Sequence, residues 1–307
     1  MLFISESESV ALVTHELAFV AAREALIAAC EPATESFPVV LGHGSSTANR
    51  FTVKAAATAE LAGLKVGSYW PGNRDRGLER HNSLILLFDQ ETGRIGTAIE
   101  AGIVNAYRTA AADAVAADVL ARPDAAALAI FGAGHQARYE CAALARVRPL
   151  RRVLVVARSA ERAAVLAAEL QAQGLDAEAA GAEEACAAAD IIVTATPARA
   201  PLFEADWVRP GTHVASMGSD ARGKQELPPA LFRRAALFCD LPGQSRSIGE
   251  FQHADRDAVL TPLGEVLSGR LPGRGSDEAI TIFDSSGLSL QDLTIARHLL
   301  AQRAASA

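Results

Sequence analysis

Over roughly the first hundred residues, apolar positions come in short runs broken by polar clusters. Leu2 to Ile4 predicts a short strand, and Ser5 to Ser9 offers residues suited to cap a helix. Val10 to Ala29 has the apolar spacing of one or two helices, which Pro32 stops. Phe37 to Leu41 predicts a strand, and Gly42-His43-Gly44-Ser45-Ser46 a turn. Arg50 to Thr58 and Leu64 to Tyr69 predict two further strands. Pro71-Gly72-Asn73 opens a polar loop running to His81. Ser83 to Phe88 and Ile95 to Ile99 predict a hairpin across Asp89-Gln90-Glu91-Thr92-Gly93. An alanine-rich helix follows, Asn105 to Leu120, ended by Arg122-Pro123-Asp124.

Beyond that helix the pattern becomes strand, helix, strand. Strands are expected at Ala127–Phe131, Arg152–Ala157, Ile191–Thr194, His213–Ser216 and Ala236–Cys239. Helices are expected at about Gln136–Arg146, Ala160–Gln173 and Glu183–Ala188. Such alternation implies a parallel sheet with helices on both faces. Ile280 to Phe283 reads as a late strand and Ser289 to Ala301 as a last helix. The fold class is therefore α/β, a doubly wound parallel sheet set in a strand-rich α+β chain. The expected division is residues 1–117 for the first domain and 118–288 for the sheet domain, with 289–307 completing the first.

Composition narrows the class. The chain has 307 residues, half of them hydrophobic, and a formal charge of −7. That is globular, and it gives no basic patch for nucleic acid. Cys30, Cys141, Cys186 and Cys239 are far apart and form no CxxC pair, so they read as reduced thiols rather than a metal or disulfide framework. No basic n-region precedes an apolar run, and no run has the length of a membrane span. The expected location is cytoplasmic.

Ile130-Phe131-Gly132-Ala133-Gly134-His135-Gln136-Ala137 carries the first chemistry. A strand, a glycine turn and a helix together hold a pyrophosphate on backbone N–H groups and the helix N-terminus. Gly132 gives the sharp turn and Gly134 lets the backbone approach the ligand. Ala137 takes the place of a third glycine. The same glycines also fit a plain turn. After the second strand an acidic residue would bind an adenosine ribose, but here Arg158-Ser159 stands, with Arg162 one turn on. A guanidinium and a hydroxyl suit a 2′-phosphate, so NADP(H) is favoured over NAD(H). Thr194-Ala195-Thr196-Pro197 ends another strand, where its hydroxyls either meet the cofactor or cap the turn.

Lys65 lies inside an apolar strand, where it must snorkel, pair or serve a site. Arg108 lies near the expected start of a helix, where a cation opposes the dipole and an external anion would favour it. Asp220 follows Met217-Gly218-Ser219, and Lys224 is close enough to pair with it or touch phosphate. His43, His81 and His253 are scattered; no HxxxH, Cys/His cluster or GxSxG elbow occurs.

Several stretches resemble the ornithine cyclodeaminase/μ-crystallin family, in order along nearly the whole chain. They are Gly63-Leu64-Lys65-Val66; Leu87-Phe88-Asp89 with Thr92-Gly93; Tyr107 to Ala111; Ile130 to Ala137; Gly211-Thr212-His213; Met217 to Leu227; and Ile282 to Gly287 with Leu290-Gln291-Asp292-Leu293. The resemblance implies a homodimer with a Rossmann domain inserted in a substrate domain. It implies that Lys65 and Arg108 hold a substrate carboxylate, that Asp220 is the acid/base residue, and that Lys65 shares in catalysis. Gly132, Gly134, His135, Gln136, Arg158, Ser159, Thr196, Lys224 and Ser285 would line the dinucleotide, and Ser286 the substrate. No metal is implied. One departure stands out: residues 37–41 lack the arginine that family members often carry there. This argues against ornithine cyclodeamination. Gly67 to Asn73 and Gln244 to Glu250 are more similar to the imine-reductase branches.

The expected activity is hydride transfer from NAD(P)H to an α-imino acid, foremost Δ1-pyrroline-2-carboxylate or piperideine-2-carboxylate. Iminosuccinate reduction, ornithine cyclodeamination and a non-catalytic NADPH-binding role are the alternatives. Iminosuccinate would need a further cation, for which Lys54, Arg50 and His81 are the nearest candidates.

Overall fold

The computed structural model describes residues 1–306. In chain order the elements are β1 (Leu2–Ile4), α1 (Glu6–Leu12), α2 (His15–Ala28), β2 (Glu35–Ser36), β3 (Val40–His43), β4 (Arg50–Ala57), β5 (Ala62–Tyr69), β6 (His81–Phe88), β7 (Ile95–Glu100) and α3 (Gly102–Leu120). Then come β8 (Ala127–Phe131), α4 (His135–Val147), β9 (Arg152–Val156), α5 (Ala160–Ala172), β10 (Ala177–Ala179), α6 (Ala182–Ala188) and β11 (Ile191–Thr194). The chain continues with β12 (His213–Ser216), α7 (Pro229–Phe232), β13 (Ala235–Cys239), α8 (Pro242–Ile248), β14 (Leu260–Pro262), α9 (Leu263–Leu267), β15 (Ile280–Asp284) and α10 (Ser289–Ala305). Two compact units result: Met1–Arg108 together with the chain from Leu288 onward, and Thr109–Gly287. The division falls inside α3.

The first unit is a mixed sheet of order β1-β7-β6-β5-β4-β2, with β3 also paired to β4. All pairs are antiparallel except β1 with β7. Helix α10 lies on β4, β5 and β6 and packs on α2. The buried stripe of α2 is Ala18, Ala21, Ala22, Ala25 and Leu26, the spacing of one helix face, with side chains short enough for close packing. Ser5 and Glu8 form a capping box at α1, and Thr14 caps α2. Glu6 caps α3 from a distance in sequence: its carboxylate accepts from Gly102 N at 2.8 Å and Ile103 N at 2.7 Å. The strand expected at Phe37–Leu41 runs instead over Val40–His43, and Gly42 and His43 belong to its ladder rather than to a turn. Pro38 has no N–H to donate, and it falls in the gap between β2 and β3, which both pair with β4.

The second unit is an eight-stranded sheet of order β10-β9-β8-β11-β12-β15-β13-β14, parallel throughout. The chain winds outward from β8 in one direction through β9 and β10. It then crosses to β11 on the other side of β8. This is the Rossmann arrangement, and the reversal between β8 and β11 is its switch point. β11 and β12 are buried along their whole length, as central parallel strands covered on both faces should be. Edge strands β10 and β14 were not expected; three residues each, they carry no alternation to read. Arg148 ties the C-terminal turn of α3 to this unit, its guanidinium donating to the carbonyls of Ala117 at 2.8 Å, Asp118 at 2.7 Å and Ala121 at 3.2 Å. These carbonyls lie in the last turn of the helix and just beyond it, where intrahelical partners run out.

Candidate active site

The first unit builds a buried ion cluster. Lys65 on β5 donates to Asp292 Oδ1 at 2.9 Å and lies 2.8 Å from Oδ2. Arg108 Nε is 3.0 Å from Asp292 Oδ1. Both cations also donate to Asn105 Oδ1, at 2.9 Å from Lys65 and 2.7 Å from Arg108. Asp292 sits on the first turns of α10, the element laid over β5, so the sheet and the helix deliver opposite charges to one point. Asp292 had been read only as part of a motif. An acid three residues into an apolar helix, beside a chain-interior lysine, was the signal for this pair.

Arg108 is not at a helix start. α3 begins at Gly102 and its free N–H groups are taken by Glu6, so the dipole argument for Arg108 does not hold. What fixes the guanidinium is Asp292, Asn105 and Gln291. Burial pushes the Lys65 pKa down to about 7, Arg108 and Lys54 push the same way, and Asp292 opposes them. Asp292 stays low despite its burial, because Arg108 and Lys65 hold it ionised.

The second unit builds a turn suited to a dinucleotide. Gly132 has φ +123°, and a Cβ there would lie 2.7 Å from the Ala195 carbonyl oxygen. Gly134 is different. It has ordinary φ, and a Cβ there would meet no protein atom within 4 Å. It is the N-cap of α4, and no side chain caps the helix. Open space and uncapped N–H groups at a helix start fit a bound pyrophosphate. Ala137 is fully buried, in keeping with close packing of helix and strand. His135 packs on Tyr139, ring centroids 4.9 Å apart, and Gln136 donates to Glu140 at 2.8 Å. Beyond β9, Arg158 is exposed, Ser159 caps α5 by accepting from Arg162 N, and the Arg162 guanidinium reaches Ala133 O at 3.1 Å.

At the carboxyl ends of β11 and β12 a buried glutamate that the sequence reading missed gathers the loops. Glu226 accepts from Thr194 Oγ1 at 2.9 Å, Thr196 N and Oγ1 both at 2.7 Å, Ser216 Oγ at 3.1 Å and Gly218 N at 2.8 Å. Its own N–H and that of Leu227 donate to Glu250. Burial raises both carboxyls, Glu250 to about 7. The Thr196 hydroxyl donates to Glu226 and accepts from Ala198 N. Lys224 Nζ donates to Asp220 Oδ1 at 2.5 Å and to Gly218 O at 3.0 Å. Ser286 donates to Asp240 and accepts from Gln244, while Ser285 N donates to Ser216 O. Among the described residues no group of His, Cys, Asp and Glu could hold a metal, and no helix is long and apolar enough to cross a membrane. His253 is spent on Lys224 O at 2.8 Å.

The family model of the ornithine cyclodeaminase/mu-crystallin family matches residues 8–306. The chain is 40% identical to the iminosuccinate reductase of Paracoccus denitrificans, over 97% of this chain and 95% of that one. A crystal structure of the Paracoccus denitrificans iminosuccinate reductase in complex with NAD+ matches all of this chain and 97% of its own with TM-score 0.91, at 38% identity. An archaeal alanine dehydrogenase dimer with bound NAD matches with TM-score 0.93 at 31% identity, covering 100% of this chain and 97% of that one. The Thermococcus litoralis Δ1-pyrroline-2-carboxylate reductase in complex with NADH and L-proline does so with TM-score 0.93 at 26% identity, covering 100% and 98%. The chain belongs to the ornithine cyclodeaminase/mu-crystallin family.

Proposed function

We propose that this chain reduces an α-imino acid to the corresponding L-amino acid with a nicotinamide dinucleotide. It is an oxidoreductase acting on C=N bonds, the chemistry by which its reductase relatives are named. The observation that carries the reading is the buried cluster in which Lys65 and Arg108 share one carboxylate, Asp292. Two buried cations on a single internal anion leave a positive site, which a substrate carboxylate neutralises. Asp292 and Asn105 orient both cations before substrate arrives, so little ordering remains at binding.

The bound nicotinamide supplies the hydride to the imine carbon. The chain supplies position and charge. Asp220, held by Lys224 and half exposed, stabilises the iminium nitrogen as a carboxylate or passes it a proton. Ser286, which donates to Asp240 and accepts from Gln244, would orient substrate. Gly132, Gly134, His135 and Gln136, at the N-terminus of α4, would hold the pyrophosphate, and Ser285, Thr196 and Lys224 would contact other parts of the dinucleotide. We read NADP(H) as the preferred form. Residues 156–159 offer no carboxylate to a ribose diol, whereas Arg158 is exposed for a 2′-phosphate, and Ser159 keeps its hydroxyl proton to donate. The active form is read as a homodimer; the archaeal relative is one, and Phe37, Val40, Leu41, Phe88 and Ile95 of the first unit are exposed apolar surface.

Asp220→Asn tests the reading. It keeps the size and most hydrogen bonds of the side chain but removes the charge. Turnover should fall by ~10²-fold or more while the dissociation constant for NADPH changes by less than about threefold. A variant that keeps full turnover removes Asp220 from the chemistry.

A further inference from the structure

Helix α10 runs 17 residues, and its first turn is buried: Ser289 is 5% exposed and Gln291 1%. The N-cap is Leu288, whose side chain has no oxygen to accept from the first N–H groups. Gln291 reaches back over this end. Its Oε1 accepts from Leu288 N at 3.2 Å and from Arg108 Nη1 at 3.4 Å. Two donors on one atom fix which end of the amide is oxygen, so Nε2 lies beside it at the mouth of the helix. Among the described residues Gln291 Nε2 has no hydrogen-bond partner, and neither has Ser289 Oγ. A buried polar group left without a bond costs free energy, and here two of them stand at the positive end of one helix. The next residue, Asp292, carries Lys65 and Arg108, and two cations on one carboxylate leave that cluster positive. An amide N–H, a hydroxyl and the backbone N–H groups of a first turn can all donate. Beside a positive cluster, such donors suit a carboxylate.

We propose that Gln291 and Ser289 bind substrate: Gln291 Nε2 and Ser289 Oγ, with the N–H groups of the first turn of α10, donate to the α-carboxylate of the imino acid. The inference rests on the α-imino acid reading and deepens it at the same site. Lys65 and Arg108 supply the charge, but both already bond to Asn105 and pair with Asp292. The α10 donors supply direction. A planar carboxylate held on both oxygens cannot turn about its C–C bond, so the imine carbon keeps one orientation. Gln291 serves twice, its oxygen setting Arg108 and its nitrogen facing the ligand. A neutral carboxamide fits less well, because it leaves the positive cluster without a counter-charge and sets an NH2 group against donors.

The test needs no turnover. Calorimetry measures the binding of pyrrole-2-carboxylate, a planar carboxylate without a reducible C=N bond, to the full chain in saturating NADPH. Ser289→Ala should weaken it about tenfold. Gln291→Glu keeps the oxygen that accepts from Arg108 and Leu288, but turns the Nε2 donor into a charged acceptor. It should weaken the carboxylate at least ~100-fold, whereas a Gln291 that only steadies Arg108 would tolerate the change. The dissociation constant for NADPH should move less than about threefold in both variants. Unchanged carboxylate affinity in either variant overturns the proposal, as does a wild type that binds no pyrrole-2-carboxylate. Lost NADPH affinity with carboxylate affinity intact would assign these donors to the dinucleotide's carboxamide and overturn it as well. Ser289→Ala removes no hydrogen bond of the folded chain, so it decides the matter if the glutamate variant does not fold. Failure of the reductase reading looks different: the variants lose the carboxylate as expected, yet wild type reduces no imine.

Discussion

At Lys65 the penalty of burial, reinforced by Arg108, outweighs the attraction of Asp292. The side chain is driven to a pKa of about 7 from an ordinary lysine value of 10.5. The sign of the consequence follows. Between these two values the unfolded chain binds the proton and the folded chain does not. Stability attributable to Lys65 is therefore fully present above the ordinary value and lost as pH falls towards 7. Carboxylate binding works the other way, because it needs the ammonium. Above pH 7 the affinity for a carboxylate ligand should fall by up to about tenfold per pH unit, and binding at pH 8 should draw in roughly one proton per site. Calorimetry with pyrrole-2-carboxylate in buffers of different ionisation enthalpy measures that uptake. Binding at pH 8 without proton uptake would place the Lys65 titration elsewhere. Lysine in an apolar strand marked this residue in the sequence. Its partner, Asp292, lies 227 positions away, and local pattern carries no information about such a pairing.

The element that states most in few residues is the turn from β8 into α4. Its two glycines have different physical reasons, and substitutions separate them. Gly132→Ala forces a side chain into a backbone conformation with φ +123° and against the Ala195 carbonyl. It should cost about 2–4 kcal/mol of stability. Gly134→Ala meets no protein atom, so it should change stability by less than about 1 kcal/mol. Yet it fills the space a pyrophosphate needs and should weaken dinucleotide binding at least ~10-fold. Thermal unfolding and nucleotide titration of both variants check the pair of outcomes; full affinity in Gly134→Ala would contradict the cradle. This turn was legible because a strand, two glycines and a helix are contiguous. So were most helices and the buried central strands, whose apolar runs are long or periodic. Edge strands β10 and β14 were not, since a half-exposed three-residue strand has no pattern. The Glu226 carboxyl was missed for another reason. It collects donors from the ends of two strands, β11 and β12, and a glutamate in a polar stretch reads as surface until those segments are folded around it.

On the scale of the whole molecule, the chain devotes its two units to two different jobs. The discontinuous unit concentrates cations on a sheet face, and the continuous one presents a helix N-terminus and the carboxyl ends of parallel strands. The change from alternating short runs to strand-helix repeats made that division visible in the sequence, although it falls within α3, where an unbroken alanine-rich pattern gives no mark of a boundary. Fold class followed from element order, and family from motifs spread along the chain. Substrate did not follow from either. The central claim is that this chain is a reductase of α-imino acids. The most direct measurement mixes the purified protein with NADPH, and separately with NADH, and offers iminosuccinate, Δ1-pyrroline-2-carboxylate, piperideine-2-carboxylate and pyruvate plus ammonia, following the nicotinamide absorbance. We predict oxidation of the dinucleotide by at least one of the four, faster with NADPH than with NADH; no oxidation with any of the four, from either cofactor, would contradict the account.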